Sequence, residues 1–252
     1  MQDVLLFGAG VLVGAMNAIA GGGTLIGFPV LLAAGLPALA ANMTSSVVVL
    51  PGALSSVFGY RKYVRKVPLR YLLLIIPCVL GGATGATILR NTPGTKFQHL
   101  VPALVLFAVV LFAFQPLLHF HLNRHLRGKN KALQPIVLIA VALLPVAMYG
   151  GYFGAGFGFI MLAFLGFTKL HDIHQMNGLK NLAGASIAGM SIIVLFSTHL
   201  INWRYGLVMG AGSLVGGYYG SLLTQKIPSH VIRIIVIAIG LSTAIYLGLR
   251  TY

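Results

Sequence analysis

Eight apolar stretches of membrane-spanning length divide this chain, at residues 3–20, 39–59, 70–89, 98–118, 133–150, 178–197, 205–224 and 231–249. A helix needs about 20 such residues to cross a hydrocarbon core of about 30 Å. The stretches are continuous and rich in Leu, Ala and Val, without the alternation of a barrel strand. The element that satisfies its own backbone in lipid is therefore the helix. With 58% hydrophobic and 8% charged residues, the chain lacks the polar surface that a water-soluble fold of this size needs. The expectation is an all-α integral membrane protein of about eight transmembrane helices. Met1-Gln2-Asp3 lacks the positive charge that opens a secretory signal, so the first stretch reads as a retained helix.

The chain also repeats itself. Shifted by 135 residues, Gly21 falls on Gly156, Gly23 on Gly158, Asn42 on Asn177 and Pro93 on Pro228. Gly81, Gly82 and Gly85 fall on Gly216, Gly217 and Gly220. The constant register predicts a tandem duplication, with a first four-helix repeat at 1–118, a basic linker at 119–134 and a second four-helix repeat at 135–252. Function is expected where equivalent faces of two such units meet.

Only two acids, Asp3 and Asp172, stand against 17 Lys and Arg. In a soluble protein that imbalance would suggest nucleic acid. Here the basic residues crowd short loops, where they set orientation, and no nucleic-acid partner is expected. Arg61, Lys62, Arg65, Lys66 and Arg70 fill one loop, and Arg124, Arg127, Lys129 and Lys131 another. Two spans separate these loops, so both are expected on the cytoplasmic face, together with both termini of an eight-span chain. Cys78, the single cysteine, excludes an internal disulfide and a thiolate metal cluster. His171 and His174 beside Asp172, and His119, His121 and His125 in the linker, lack the partners that would complete a metal site. No cofactor is expected, because the glycine runs follow no strand and lack the Gly-Lys-Ser/Thr ending of a phosphate-binding loop.

One part of each half does not fit a simple span. Residues 3–35 are apolar but interrupted by Gly21-Gly22-Gly23, and residues 136–168 mirror them around Gly154-Ala155-Gly156-Phe157-Gly158. As single helices these stretches would be about 50 Å long. Adjacent glycines and Pro29 predict a break instead, giving a glycine-broken first helix in each half. Broken helices at membrane depth persist where they are buried in protein or line a cavity. Close helix packing is the other reading of these glycines, and for Gly81, Gly82, Gly85 and their counterparts it is the favoured one.

Polar side chains follow each break. Asn42, Thr44, Ser45 and Ser46 begin the next helix of the first half, and Asn177, Lys180 and Asn181 stand opposite Asn42, Ser45 and Ser46 in the second. Spacings of three and four place each trio on one helical face. Lys180 lies about two turns inside its helix with no acid near it in sequence. Such a cation either snorkels to an interface or faces a polar cavity where a transient anion compensates it. The asparagines read equally as ligand contacts or as interhelical hydrogen bonds.

Gly21-Gly22-Gly23 with Pro29-Val30-Leu31, Ala41-Asn42-Met43-Thr44-Ser45, Tyr60-Arg61, Met176-Asn177-Gly178-Leu179-Lys180-Asn181 and Ile201-Asn202-Trp203 together resemble the sulfite exporter TauE/SafE family over nearly the whole chain. Phe157 interrupts the second glycine motif, and Phe164 stands where the first half has Pro29. The resemblance implies a multi-pass transporter of the bacterial or archaeal inner membrane, built from duplicated four-helix units. It further implies transport of sulfite, sulfoacetate or a related sulfur-containing or organic anion. On this reading Gly21, Gly22, Gly23, Asn42, Thr44 and Ser45 meet Gly156, Gly158, Asn177, Lys180 and Asn181 around the substrate, within the lipid bilayer, and homodimerisation is left open. An anion channel is the nearer alternative. A membrane enzyme acting on lipid is the more distant one, since two acids supply little acid-base or metal chemistry.

Overall fold

The computed structural model describes residues 1–19, 21–126, 136–166, 168, 170, 172–223 and 245, and for 111–126 the path of the helix only. Of the expected span 231–249 only residue 245 is described, and linker residues 127–134, His171 and Pro228 lie outside the described residues. Every regular element among the described residues is helical, as continuous apolar runs in lipid require. The order is α1 (Gln2–Ile19), α2 (Thr24–Ala33), α3 (Ala38–Gly59), the short α4 (Arg61–Val64) and α5 (Leu69–Leu72), then α6 (Ile75–Arg90) and α7 (Gly94–Leu126). After the linker come α8 (Ile136–Tyr152), α9 (Phe157–Gly166), α10 (Ile173–Leu195) and α11 (Trp203–Leu223). Helix α7 carries the linker's first residues, from His119 to Leu126, as a continuation of its span.

Four stretches among the described residues are long and apolar enough to cross a membrane by length and composition: Gln2–Ile19, Ala38–Gly59, Leu69–Arg90 and Ile173–Thr198. Helices α2 and α9, ten residues each, are about 15 Å long and reach only part of that depth. Local sequence sets the ends. Pro37 and Pro68 immediately precede α3 and α5, where a missing N–H costs nothing. Asp172 caps α10 by accepting from the His174 N–H at 2.8 Å, satisfying one free donor of the first turn.

Glycine contacts fix the relative directions of the helices. A Cβ on Gly10 would meet Met209, one on Gly14 would meet Ser213, and one on Gly220 would meet Ala15. The numbers rise together, so α1 and α11 are parallel. Gly52 faces Ser213 and Gly59 faces Ser221, so α3 is parallel to both. Gly81 faces Ala147 and Gly85 faces Tyr152, which makes α6 parallel to α8. Gly178 faces Tyr60 and Val64 while Gly189 faces Leu50, so α3 and its counterpart α10 are antiparallel. The most extensive helix pairs are α1 with α11, α3 with α11 and α6 with α8, each joining the first half to the second. Small residues let these backbones approach closely, which is how helices gain packing energy in lipid. This is the packing role expected for Gly81, Gly82, Gly85 and their counterparts.

Because α1 and α3 are parallel, the glycine break and α2 must return the chain to the side from which it entered. Gln2 Nε2 donates to Tyr205 Oη at 3.0 Å, and Asp3 pairs with Arg204 at 2.9 Å at the start of α11. The other end of α1 lies beside Tyr60, whose hydroxyl donates to the Ala18 carbonyl at 3.4 Å, next to the basic loop. The expectation that the first residues share a face with the loop at 61–69 is therefore corrected. The return through α2 adds a reversal that a count of 20-residue spans omits.

Candidate functional site

The two glycine breaks touch. A Cβ on Gly21 would lie 2.6 Å from the Gly158 Cα, and one on Gly158 would lie 2.6 Å from the Gly21 Cα. Gly21 also has φ +85°, a conformation that costs an L-residue about 1–2 kcal/mol. Gly156 has φ +80° but stands in open contact, 3.6 Å from Ala108, so its requirement is conformational. Gly23 packs against Asn17 and gives its N–H to Asn17 Oδ1 at 2.9 Å. The nearest atoms to a Cβ on Gly22 are side-chain atoms, the Phe159 ring at 3.3 Å and the end of Met16 at 3.5 Å.

Beside this contact lies a cavity of about 70 Å³, room for roughly five water-sized positions. Residues of both halves line it, among them Asn17, Gly21, Asn42, Ser45, Gly158, Lys180, Asn181 and Ser191. Thr24 and Phe157, the first residues of α2 and α9, also border it. The starts of two half-helices bring partial positive charge to one place.

Lys180 is 2% exposed, and its Nζ donates to three oxygens: Asn17 O at 2.9 Å, Asn177 Oδ1 at 3.0 Å and Ala18 O at 3.4 Å. The two carbonyls belong to the last turn of α1, where a helix has acceptors without intrahelical donors and carries partial negative charge. Lys180, expected either to snorkel or to face a polar cavity, lines the cavity and caps the broken helix α1 of the other half with neutral oxygens as its partners. The equivalent contact is neutral. Asn42 Nδ2 donates 2.8 Å to the carbonyl of Tyr152, at the end of α8.

Other expected site residues divide. Ser45 lines the cavity and returns its hydroxyl to Ala41 O at 2.9 Å. Thr44 is fully buried but points toward α11, accepting from the Asn202 N–H at 3.0 Å. Asn177 Oδ1 accepts from Lys180, and Asn177, Gly22, Gly23 and Gly156 do not line the cavity. Asn17 and Ser191 were not expected. Asn17 sits in an apolar run, and the signal available was an amide four residues before Gly21. Among buried polar atoms, Asn17 Nδ2, Asn42 Oδ1, Asn181 Nδ2 and Ser191 Oγ have no hydrogen-bond partner. No cluster of three or more His, Cys, Asp or Glu that could hold a metal occurs among the described residues.

Parallel and antiparallel apolar helices, broken at a buried polar cavity, are an arrangement that polytopic membrane transporters use. The family model of the sulfite exporter TauE/SafE matches residues 6–247, and the chain belongs to that family. It is 31% identical over 245 residues to a probable membrane transporter protein of Haemophilus influenzae, covering 92% of this chain and 89% of the relative. It is 26% identical over 257 residues to the probable membrane transporter protein ORF9 of Sinorhizobium sp, covering 98% and 95%. With the probable membrane transporter protein YfcA of Escherichia coli K12 it shares 27% over 239 residues, covering 94% and 86%. No solved structure matches the chain.

Proposed function

We propose that the chain carries a small anion across the cell membrane through the cavity at the meeting of its two glycine breaks. The observation that supports this is the character of the cavity's polar groups. Lys180 and the starts of α2 and α9 bring positive charge to its wall, and neither Asp3 nor Asp172 lines it. The two halves act as inverted four-span repeats whose discontinuous helices meet at the substrate. The basic loop at 61–69 takes the cytoplasmic side, which puts Gln2 on the other side. Sulfite and related sulfur-containing or organic anions are the substrate class that the family name suggests.

Uptake by purified protein in proteoliposomes, screened with sulfite, sulfate, thiosulfate, sulfoacetate and simple carboxylates, tests the reading. Saturable flux with counterflow for at least one of these anions is expected. Flux of none, or flux that does not saturate, would remove the carrier assignment.

A further inference from the structure

The basic loop after α3 arranges its charges in a way that orientation in the membrane, a matter of how many cations lie on each side, does not require. Ala38–Gly59 and Leu69–Arg90 are both long and apolar enough to cross, so residues 60–68 lie at one membrane surface. Arg61, Lys62, Arg65, Lys66 and Arg70 are all exposed there. The Arg65 N–H donates to the Arg61 carbonyl at 3.1 Å, closing one helical turn, so the two arginine side chains start from the same face. Lys62 and Lys66 repeat the spacing. Like charges four residues apart oppose the turn that carries them. The chain offers little to offset this. Of its two acids, Asp3 pairs with Arg204 at the opposite surface, and Asp172 Oδ1 accepts from the His174 N–H. Among the described residues the Arg204–Asp3 contact is the one ion pair.

Arg61 is also held at the outer rim of the helices. Its Nη1 donates to the Phe58 carbonyl at 3.2 Å, and its guanidinium carbon stands 4.4 Å from the centre of the Phe58 ring. Phe58 is exposed on the last turn of α3. Its ring lies 6.1 Å from that of Tyr218 on α11, which lies 5.5 Å from that of the exposed Tyr219. Aromatic rings that face outward at the end of a span mark the level of the lipid headgroups. The contact with Phe58 therefore fixes a guanidinium at headgroup level beside the seam of α3 and α11, with one of its five N–H donors given to the Phe58 carbonyl. At the other end of the loop, Arg70 lies 4.9 Å over the Tyr71 ring between the exposed Leu69 and Leu73.

We propose that this rim binds the phosphate of an anionic lipid, with Arg61 and Arg65 as its charged contacts. A phosphodiester between the two guanidinium groups replaces their repulsion with two charge-assisted pairs, and Lys62 and Lys66 add to the local field. The lipid's acyl chains run along Phe58 and Leu54, exposed apolar residues one turn apart on α3. Those neighbours decide the source of the phosphate. A soluble phosphate gains nothing from an exposed Phe and Leu beside its site, whereas a lipid brings chains that cover them.

Native mass spectrometry of the full chain, released from detergent with equimolar phosphatidylglycerol and phosphatidylcholine, reads the site without any transport assay. Phosphatidylglycerol should be retained with an apparent affinity at least about tenfold above that for phosphatidylcholine. Arg61→Gln combined with Arg65→Gln should remove most of that preference. Arg90→Gln combined with Lys96→Gln, an equal loss of exposed charge at the far end of α6, should leave it unchanged. If the Arg61 and Arg65 double variant does not fold, Arg65→Gln alone replaces it and should lose about fivefold. Equal retention of the two lipids by the wild type would overturn the proposal. Equal losses in the two double variants would also overturn it, by making the effect one of total charge. Displacement of phosphatidylglycerol by inorganic phosphate at equal concentration would make the occupant a soluble anion and overturn it as well.

Discussion

Replacing Gly21 with alanine adds one methyl group at the point where the two breaks touch. The new Cβ would lie 2.6 Å from the Gly158 Cα, 3.1 Å from its carbonyl carbon and 3.4 Å from its nitrogen. All three are backbone atoms, so no side chain can turn aside. Carbon atoms rest at about 3.5–4.0 Å, and the breaks must therefore separate by about 1 Å. Overpacking of this kind costs about 1–3 kcal/mol, and φ +85° adds about 1–2 kcal/mol for a residue with a Cβ. The sum is about 2–5 kcal/mol. Gly22→Ala has side-chain atoms as its nearest neighbours, the Phe159 ring and the Met16 methyl at 3.3 and 3.5 Å, and should cost less than about 1 kcal/mol. Thermal unfolding in detergent should show Gly21→Ala several degrees below Gly22→Ala, and uptake per folded molecule should fall only in the former. If both variants melt within about a degree of each other and transport alike, the contact between the breaks does not hold the site.

Lys180→Met leaves three buried oxygens without their donor, at about 1–3 kcal/mol for each that stays unmet, offset by no longer burying a charge. A lower melting temperature and lost uptake are expected, with Lys180→Arg recovering part of both; wild-type stability for Lys180→Met would mean that α1 is held otherwise. Thr44→Val removes the bond from the Asn202 N–H and should lower stability by about 1 kcal/mol while leaving apparent substrate affinity unchanged in the uptake assay. On a Cys78→Ala background, cysteines at positions 2 and 62 should label from opposite sides of the membrane, and labelling from one side would reverse the directions assigned to α1 and α3.

Hydropathy is a local property, which is why the positions of α1, α3, α6 and α10 could be read from residue order alone. Helix direction is not local. It turned on whether α2, ten residues long, returns the chain, and length arguments separate spans from non-spans only near 20 residues. The glycine faces were readable as packing faces, but nothing in Gly216 or Gly220 says that Val11 and Ala15 cover them. Lys180 shows the same limit from the electrostatic side. Its isolation from carboxylates was visible, whereas the acceptors that receive it are backbone carbonyls, which every residue has and only a helix end leaves free. The repeat expected from the sequence puts Asn42 and Lys180 in corresponding regions, and the two donate to the last carbonyls of α8 and α1. One role is neutral and the other charged, a difference the sequence shows as Asn and Lys without showing the shared task.

The pairing of helices constrains how such a cavity can open. Helices α1, α3 and α11 pack together, as do α6, α8 and α10, and each group takes members from both halves of the chain. The sequence halves cannot rock against each other as rigid bodies, because that would break the close glycine contacts of α1 with α11 and of α6 with α8. Motion that keeps those contacts moves one group against the other across the interface of α3 with α10. The cavity lies on that interface, with Asn42 and Ser45 on one wall and Lys180 and Asn181 on the other. Two bonds cross it at the ends of the broken helices: Lys180 to the end of α1, and Asn42 to the end of α8.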